Sequence, residues 1–163
     1  MEKFYDAIVV GGGPAGLSAA IYMARARFRV LVIEKEKVGG QITITAEVVN
    51  YPGIFSTNGE KLTAEMARQA RAFGAEFLNA EVTGMDVDDD YKTLGIIFAG
   101  GAHPRLAGFK GENDFRGHGV AYCATCDGEF FTGKTIFVVG GGYAAVEEGL
   151  FLTKYAKNLI VVV

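Results

Sequence analysis

The sequence predicts an α/β protein built on a parallel β-sheet. Three observations carry this. Short apolar runs alternate with longer amphipathic ones, glycines cluster directly behind two of the apolar runs, and one strand–turn–helix–strand block occurs twice. Half of the 163 residues are hydrophobic, enough for a sizeable core.

The elements follow in order. Residues 5–10, YDAIVV, read as a buried strand. Residues 14–27 read as a helix, with Pro14 in the first turn, where its missing N–H is no loss. RVLVI, residues 29–33, is a second apolar strand closed by Glu34. Residues 57–73 form an amphipathic helix, with Thr57 and Glu60 at capping-box spacing and Gly74 as terminator. Residues 76–82 and 94–99 are further strands. Residues 7–24 carry no charge, which is long enough to suggest a membrane span. Gly11-Gly12-Gly13-Pro14 breaks that run, so strand, tight turn and buried helix fit better. The N-terminus MEKFYD carries both charge signs and does not read as a signal peptide, so the expected compartment is the cytoplasm.

The repeat aligns IVVGGGPAGLSAAIYMARARFRVLVI, from Ile8, with FVVGGGYAAVEEGLFLTKYAKNLIVV, from Phe137, without a gap. Each copy opens a βαβ unit, which predicts a Rossmann-like dinucleotide-binding fold with two such units, the second incomplete. In the first copy Gly11, Gly13 and Gly16 form G-x-G-x-x-G around Pro14 and Ala15. Gly11 permits the tight turn, Gly13 lets backbone approach a pyrophosphate, and Gly16 lets helix and strand pack closely. The phosphate would lie at the positive end of the helix, and Glu34 is placed for a ribose hydroxyl. In the second copy Gly140, Gly142 and Ala145 give G-x-G-x-x-A, and the residue aligned with Glu34 is Val163. Without an acid there, a 2′-phosphate is compatible. A tight strand–helix turn with no ligand is the alternative in both copies.

The net charge is -3 and no basic cluster occurs, so nothing indicates a nucleic-acid surface. The chain has two cysteines, Cys123 and Cys126, in AYCATCDGEF, with Asp127 directly after them. In a cytoplasmic protein such a pair is more often catalytic or metal-binding than a staple. Zinc would need four ligands, and the two histidines, His103 and His118, do not match a common zinc spacing, so no metal is expected. An inert buried pair stays open. A pair at a helix start, flanked by Thr125 and Asp127, also suits a lowered thiol pKa and electron exchange.

GGGPAGLSAAIYMAR, GGQITITAEVVNYPG, YCATCDG and GGGYAAVEEGLFLTKYA together make the chain similar to the low-molecular-weight thioredoxin reductase family. The resemblance spans nearly the whole chain. It implies FAD at Gly11, Gly13, Pro14, Ala15, Gly16, Glu34, Gly40, Gln41, Asn50 and Val82, and NADPH at Gly140, Gly142 and Ala145. It implies a redox-active disulfide of Cys123 and Cys126, with Cys126 beside the flavin, Cys123 attacking thioredoxin, and Asp127 managing the thiol protons. It further implies an FAD-binding segment over residues 1–111, the start of an NADPH-binding domain over 112–163, and a homodimer in the cytoplasm.

Departures from the family pattern shape the remaining expectations. The part of the FAD domain that follows the NADPH domain in the family is not in this sequence, so the chain by itself is expected to hold FAD poorly and to turn over little. Residues 83–93 are short for the family's β-meander, which implies a lost hairpin. Tyr143 and Ala144 stand where the family commonly has Asp-Ser, and Gly100 where threonine is common. A related reductase drawing on another donor such as ferredoxin, or a nucleotide-binding fragment without turnover, are the alternatives.

Overall fold

The computed structural model describes residues 4–86 and 93–163. They form two compact units, one ending at His103 and the other starting at Pro104. Within the second unit the Glu112 carboxylate accepts hydrogen bonds from the Ala107 and Gly108 N–H groups.

The first unit runs β1 (Tyr5–Val10), α1 (Pro14–Arg25), β2 (Val30–Glu34), a 3₁₀ turn (Gln41–Ile44), α2 (Gly59–Ala72), β3 (Glu76–Asn79) and β4 (Thr93–Phe98). Its sheet has the order β3-β2-β1-β4, every pairing parallel. Alternation along β1 and β2 buries Ala7, Val9, Val30 and Val32. Helical spacing on α1 buries Gly16, Leu17, Ala20 and Ala24. One core cluster joins Val9, Ala20, Ala24, Val30 and Val32 to Ala70 of α2. A second joins Leu17 to Val48 and to Leu62, Met66 and Ala67 of α2. Ile21 packs against both. Each fully buried Val or Leu contributes about 1.5–3 kcal/mol, so these contacts outweigh any single cap.

Several boundaries differ from expectation, each for a visible reason. The first helix stops at Arg25, because Arg27 turns into the left-handed region at φ 71° and its N–H closes on the Ala24 carbonyl. The second helix starts at Gly59, and its cap is Asn58, whose side chain accepts the Lys61 N–H. Thr57 cannot cap it, since it is held in an antiparallel bridge with Val48. The third strand ends at Asn79 because its partner β2 ends at Glu34. There the Asn79 amide donates to the carbonyls of Glu34, Lys35 and Glu36. The expectation of a lost hairpin at 83–93 falls largely outside the described residues.

The second unit contains a single-turn helix α3 (Ala124–Asp127), a 3₁₀ turn (Gly128–Phe131), β5 (Thr135–Val139), α4 (Tyr143–Leu152) and β6 (Asn158–Val162). Strands β5 and β6 pair in parallel, Phe137 opposite Ile160 and Val139 opposite Val162. That register reproduces the pairing of Ile8 with Leu31 and Val10 with Ile33 in the first unit, so the sequence repeat is also a repeat in space. Phe137, Val139, Tyr143, Val146 and Leu150 are exposed in this unit. Among the described residues no helix is long and apolar enough to cross a membrane.

The two copies pack their helices at different closeness. A Cβ at Gly16 would collide with the Gly11 carbonyl oxygen, whereas the corresponding residue of the second copy, Ala145, carries a methyl in place. Gly16→Ala is therefore expected to lower stability by about 2–3 kcal/mol through overpacking, and Ala145→Gly by only about 1 kcal/mol through helix propensity. Denaturant unfolding of the two variants checks this, and equal losses would count against the difference in packing.

Candidate functional site

The first glycine turn is shaped by bare backbone. Gly11 has φ 109°, and a Cβ there would run into the Ala99 carbonyl. Its N–H donates to the Ile33 carbonyl at 2.9 Å, which closes the turn over the end of β2. Gly13 caps α1 with extended backbone, and Pro14 follows as the first helical residue. Gly40, at φ 68°, faces it: a Cβ on Gly40 would meet the Gly13 Cα at 3.0 Å. The Gly39 N–H donates to the Gly12 carbonyl at 2.9 Å and ties that loop to the turn. Unsubstituted backbone at the N-terminus of α1 is the donor set a pyrophosphate needs, so the residues present fit that group.

Glu34 is held by more than its position at the end of β2. Its carboxylate accepts the Gly12 N–H at 2.7 Å and the Glu36 N–H at 3.0 Å. These bonds orient it beside the turn, and a carboxylate with about four lone-pair sites still has room for a ribose hydroxyl. Gly11, Glu34, Val82 and Gly100 together line a cleft of about 220 Å³. Gly13, Pro14, Gly16 and Gly40 adjoin this turn, and Ala15 is exposed on the first turn of α1. Gln41 opens the 3₁₀ turn behind Gly40, and Asn50 lies exposed beyond the Val48–Thr57 bridge. Neither of these two lines the cleft.

The second turn copies the first up to its last residue. Gly140 has φ 134° and donates its N–H to the Val162 carbonyl at 2.8 Å, as Gly11 does to Ile33. Gly142 caps α4, and a Cβ there would meet nothing within 4 Å, so this backbone too is open to a ligand. Where Glu34 accepts the Gly12 N–H, the Val163 side chain instead packs on Gly141. The carboxylate of the first copy is thus replaced by an apolar contact.

Cys123 and Cys126 form a disulfide, their Cα atoms 5.3 Å apart. Cys123 is the N-cap of α3, half-buried, with its sulfur 3.5 Å from the Thr125 hydroxyl, and Cys126 is exposed. The Asp127 N–H donates to the Cys123 carbonyl, which closes the turn between the two sulfurs. Because α3 is a single turn, any help to a thiolate comes from this turn's own N–H groups and not from a long helix dipole. Burial raises the Asp127 carboxyl above its ordinary pKa. Gly128 makes the packing possible, since a Cβ there would press on the Leu152 side chain at 3.1 Å. A cavity of about 420 Å³ reaches from Cys123 and Asp127 to β5 and to Ala145 of the second glycine turn.

Sequence reasoning missed two carboxylates here. Glu112 is 4% exposed, and its oxygens accept the Ala107 N–H, the Gly108 N–H and the Tyr122 hydroxyl. These bonds, the Ala107 N–H foremost, lower its pKa, and burial with the bond to Glu112 raises that of Tyr122. Glu148 of α4 accepts the Ala124 N–H at 3.3 Å. No motif marks either residue, and only their partners in space reveal them.

The chain belongs to the pyridine nucleotide-disulphide oxidoreductase family, whose profile matches residues 5–163. It is 47% identical to a thioredoxin reductase of Peptoclostridium acidaminophilum over 99% of this chain and 55% of that protein. It is 42% identical to a thioredoxin reductase of Bacillus subtilis over 99% of this chain and 54% of the relative. The crystal structure of thioredoxin reductase from Streptococcus pyogenes superposes with a TM-score of 0.92 at 37% identity, covering 100% of this chain and 56% of that one. The chain spans about half the length of the curated relatives it matches.

The raised pKa of Asp127 has a definite sign in stability. Folding disfavours its charged form, so its contribution is complete below the ordinary aspartate pKa and is lost as pH rises through the raised value. Asp127→Asn is expected to be more stable than the parent chain at pH 7, with the gap closing near pH ~4. Urea midpoints at the two pH values measure this, and a gap independent of pH would contradict it.

Proposed function

We propose that this chain carries the nucleotide-binding turns and the redox pair of a thioredoxin-disulfide reductase. The observation that carries the reading is the Cys123–Cys126 disulfide in a chain with two glycine turns of matched register. In this reading residues 1–111 belong to the FAD-binding domain and 112–163 begin the NADPH-binding domain. The Gly11–Gly16 turn holds the FAD pyrophosphate, with Glu34 on its adenosine ribose and Gly40, Gln41, Asn50 and Val82 along the remainder. Gly140, Gly142 and Ala145 hold NADPH, and Val163 leaves a 2′-phosphate unopposed by an acid. When bound, the nicotinamide supplies hydride and the flavin passes two electrons to a disulfide. The same reading has the protein work as a cytoplasmic homodimer.

The chemistry of the chain's own residues is thiol–disulfide exchange. The Cys123 thiolate attacks one sulfur of the thioredoxin disulfide, and the other sulfur leaves as a thiolate and takes a proton. The Cys126 thiolate then attacks Cys123 in the mixed disulfide. This restores the Cys123–Cys126 disulfide and releases thioredoxin with two thiols, so two electrons have moved. Asp127 suits the proton transfers because burial favours its protonated form. Cys126 is exposed within its unit, and in this reading it would be the sulfur that takes electrons from the flavin.

The exchange can be tested without any cofactor. The chain is reduced with dithiothreitol, freed of reductant and mixed with oxidised thioredoxin, and thiols on each protein are counted by mass after alkylation. Two thiols are expected to appear on thioredoxin for each Cys123–Cys126 disulfide formed. Cys126→Ser is expected to trap a mixed disulfide through Cys123. Absence of exchange would defeat the reading, and trapping in Cys123→Ser alone would reverse the two roles.

A further inference from the structure

We propose that Glu112 and Glu148 are positioning residues for the redox pair, holding the backbone on either side of Cys123. The inference deepens the preceding section and rests on its reading of Cys123 and Cys126 as a redox couple. Glu112 is nearly sealed from solvent, and a carboxylate in that state persists only when its oxygens are satisfied. They are, by Ala107 N–H at 2.9 Å, Gly108 N–H at 2.7 Å and the Tyr122 hydroxyl at 2.9 Å. Two of these donors belong to the loop before Glu112, and the third belongs to the residue directly before Cys123. The Arg116 guanidinium lies 5.2 Å from the Tyr122 ring centroid and covers the ring from a further side. On the far side of Cys123, the Ala124 N–H is held by Glu148, which stands on α4.

Cys123 is thus anchored through both neighbours, by the Tyr122 side chain to a loop on one side and by the Ala124 N–H to α4 on the other. The consequence appears in the reduced state, when no bond joins the sulfurs. Fixed backbone keeps the two thiols close and raises their effective concentration toward one another. A high effective concentration favours the disulfide over the dithiol. Releasing either tie frees the dithiol and makes the disulfide easier to reduce. Tyr122→Phe releases the first tie while keeping the ring, its packing and the net charge. Glu112→Gln weakens the same tie, and Glu148→Gln weakens the second.

The experiment equilibrates the 163-residue chain with glutathione at fixed pH. The reaction is disulfide plus two glutathione thiols giving dithiol plus glutathione disulfide, so electrons and protons balance. The reduced fraction is read by maleimide labelling. Tyr122→Phe is expected to raise the equilibrium constant about 3- to 10-fold, the change that one hydrogen bond supports. Glu112→Gln and Glu148→Gln should move it the same way. Adding Tyr122→Phe to Glu112→Gln should change it little further, since both act on one tie. Under denaturing conditions all the constants should coincide. Variants that lose stability while their native constants match the parent would overturn the proposal, and so would differences that survive denaturation. If Glu112→Gln fails to fold, Tyr122→Phe carries the test. Shifted constants in a chain that never exchanges with thioredoxin would uphold this inference and defeat the functional reading.

Discussion

The arrangement depends on how closely backbone meets backbone at the turn after β1. Gly16 sits against the Gly11 carbonyl, and Gly11 against the Ala99 carbonyl, at separations no side chain allows. This brings the N-terminus of α1 over the end of the parallel sheet, where β1 lies between β2 and β4. The Gly12 N–H then meets the Glu34 carboxylate across the turn. These two close approaches therefore go with three features: the helix packed on the sheet, the bare donors at its N-terminus, and the acid beside them. The buried cluster of Val9, Ala20, Val30 and Val32 follows from the same approach. Those side chains pack only if the helix lies low on the strands.

The second copy shows which parts of this device are architectural and which are chemical. Register, turn closure and the glycine cap recur with the same residue correspondence. The acid does not recur, and Val163 packs on Gly141 where Glu34 would accept a hydrogen bond. A valine at that position is therefore compatible with the strand pairing and the turn. The difference bears on what the turn can bind, since a carboxylate selects a free ribose hydroxyl and repels a 2′-phosphate. The disulfide turn lies in the second unit and is anchored to α4 by the Ala124 bond to Glu148 and by the contact of Gly128 with Leu152.

What the sequence made legible was whatever depends on short-range pattern. The strands at residues 5–10 and 30–34 and both glycine turns are encoded by local periodicity and by glycine. The gapless repeat announced the matched registers. Illegible were features that depend on a partner far along the chain. Thr57 and Glu60 have capping-box spacing, but the bridge from Val48 removes Thr57 from the cap and leaves the task to Asn58. The third strand could not outlast β2, which no reading of residues 76–82 alone reveals. Glu112 looks like any surface acid until Ala107, Gly108 and Tyr122 are seen around it. Glu34 was expected only to face a ligand, and its hold on Gly12 came from the fold.

In the proposed reading Glu34 adds to the first turn's hold on a nucleotide, while the strand pairing and the turn need no acid there, as Val163 stands at that place in the second copy. Glu34→Val places in the first copy the residue type that the second copy already holds at Val163. The direct measurement is a titration of parent and variant chains with FAD, read by quenching of flavin fluorescence, alongside their circular dichroism. The account predicts unchanged helix and strand content and FAD binding weakened by about 1–3 kcal/mol, on the order of 5- to 150-fold. Equal FAD affinity in the two chains, with both folded, would contradict it.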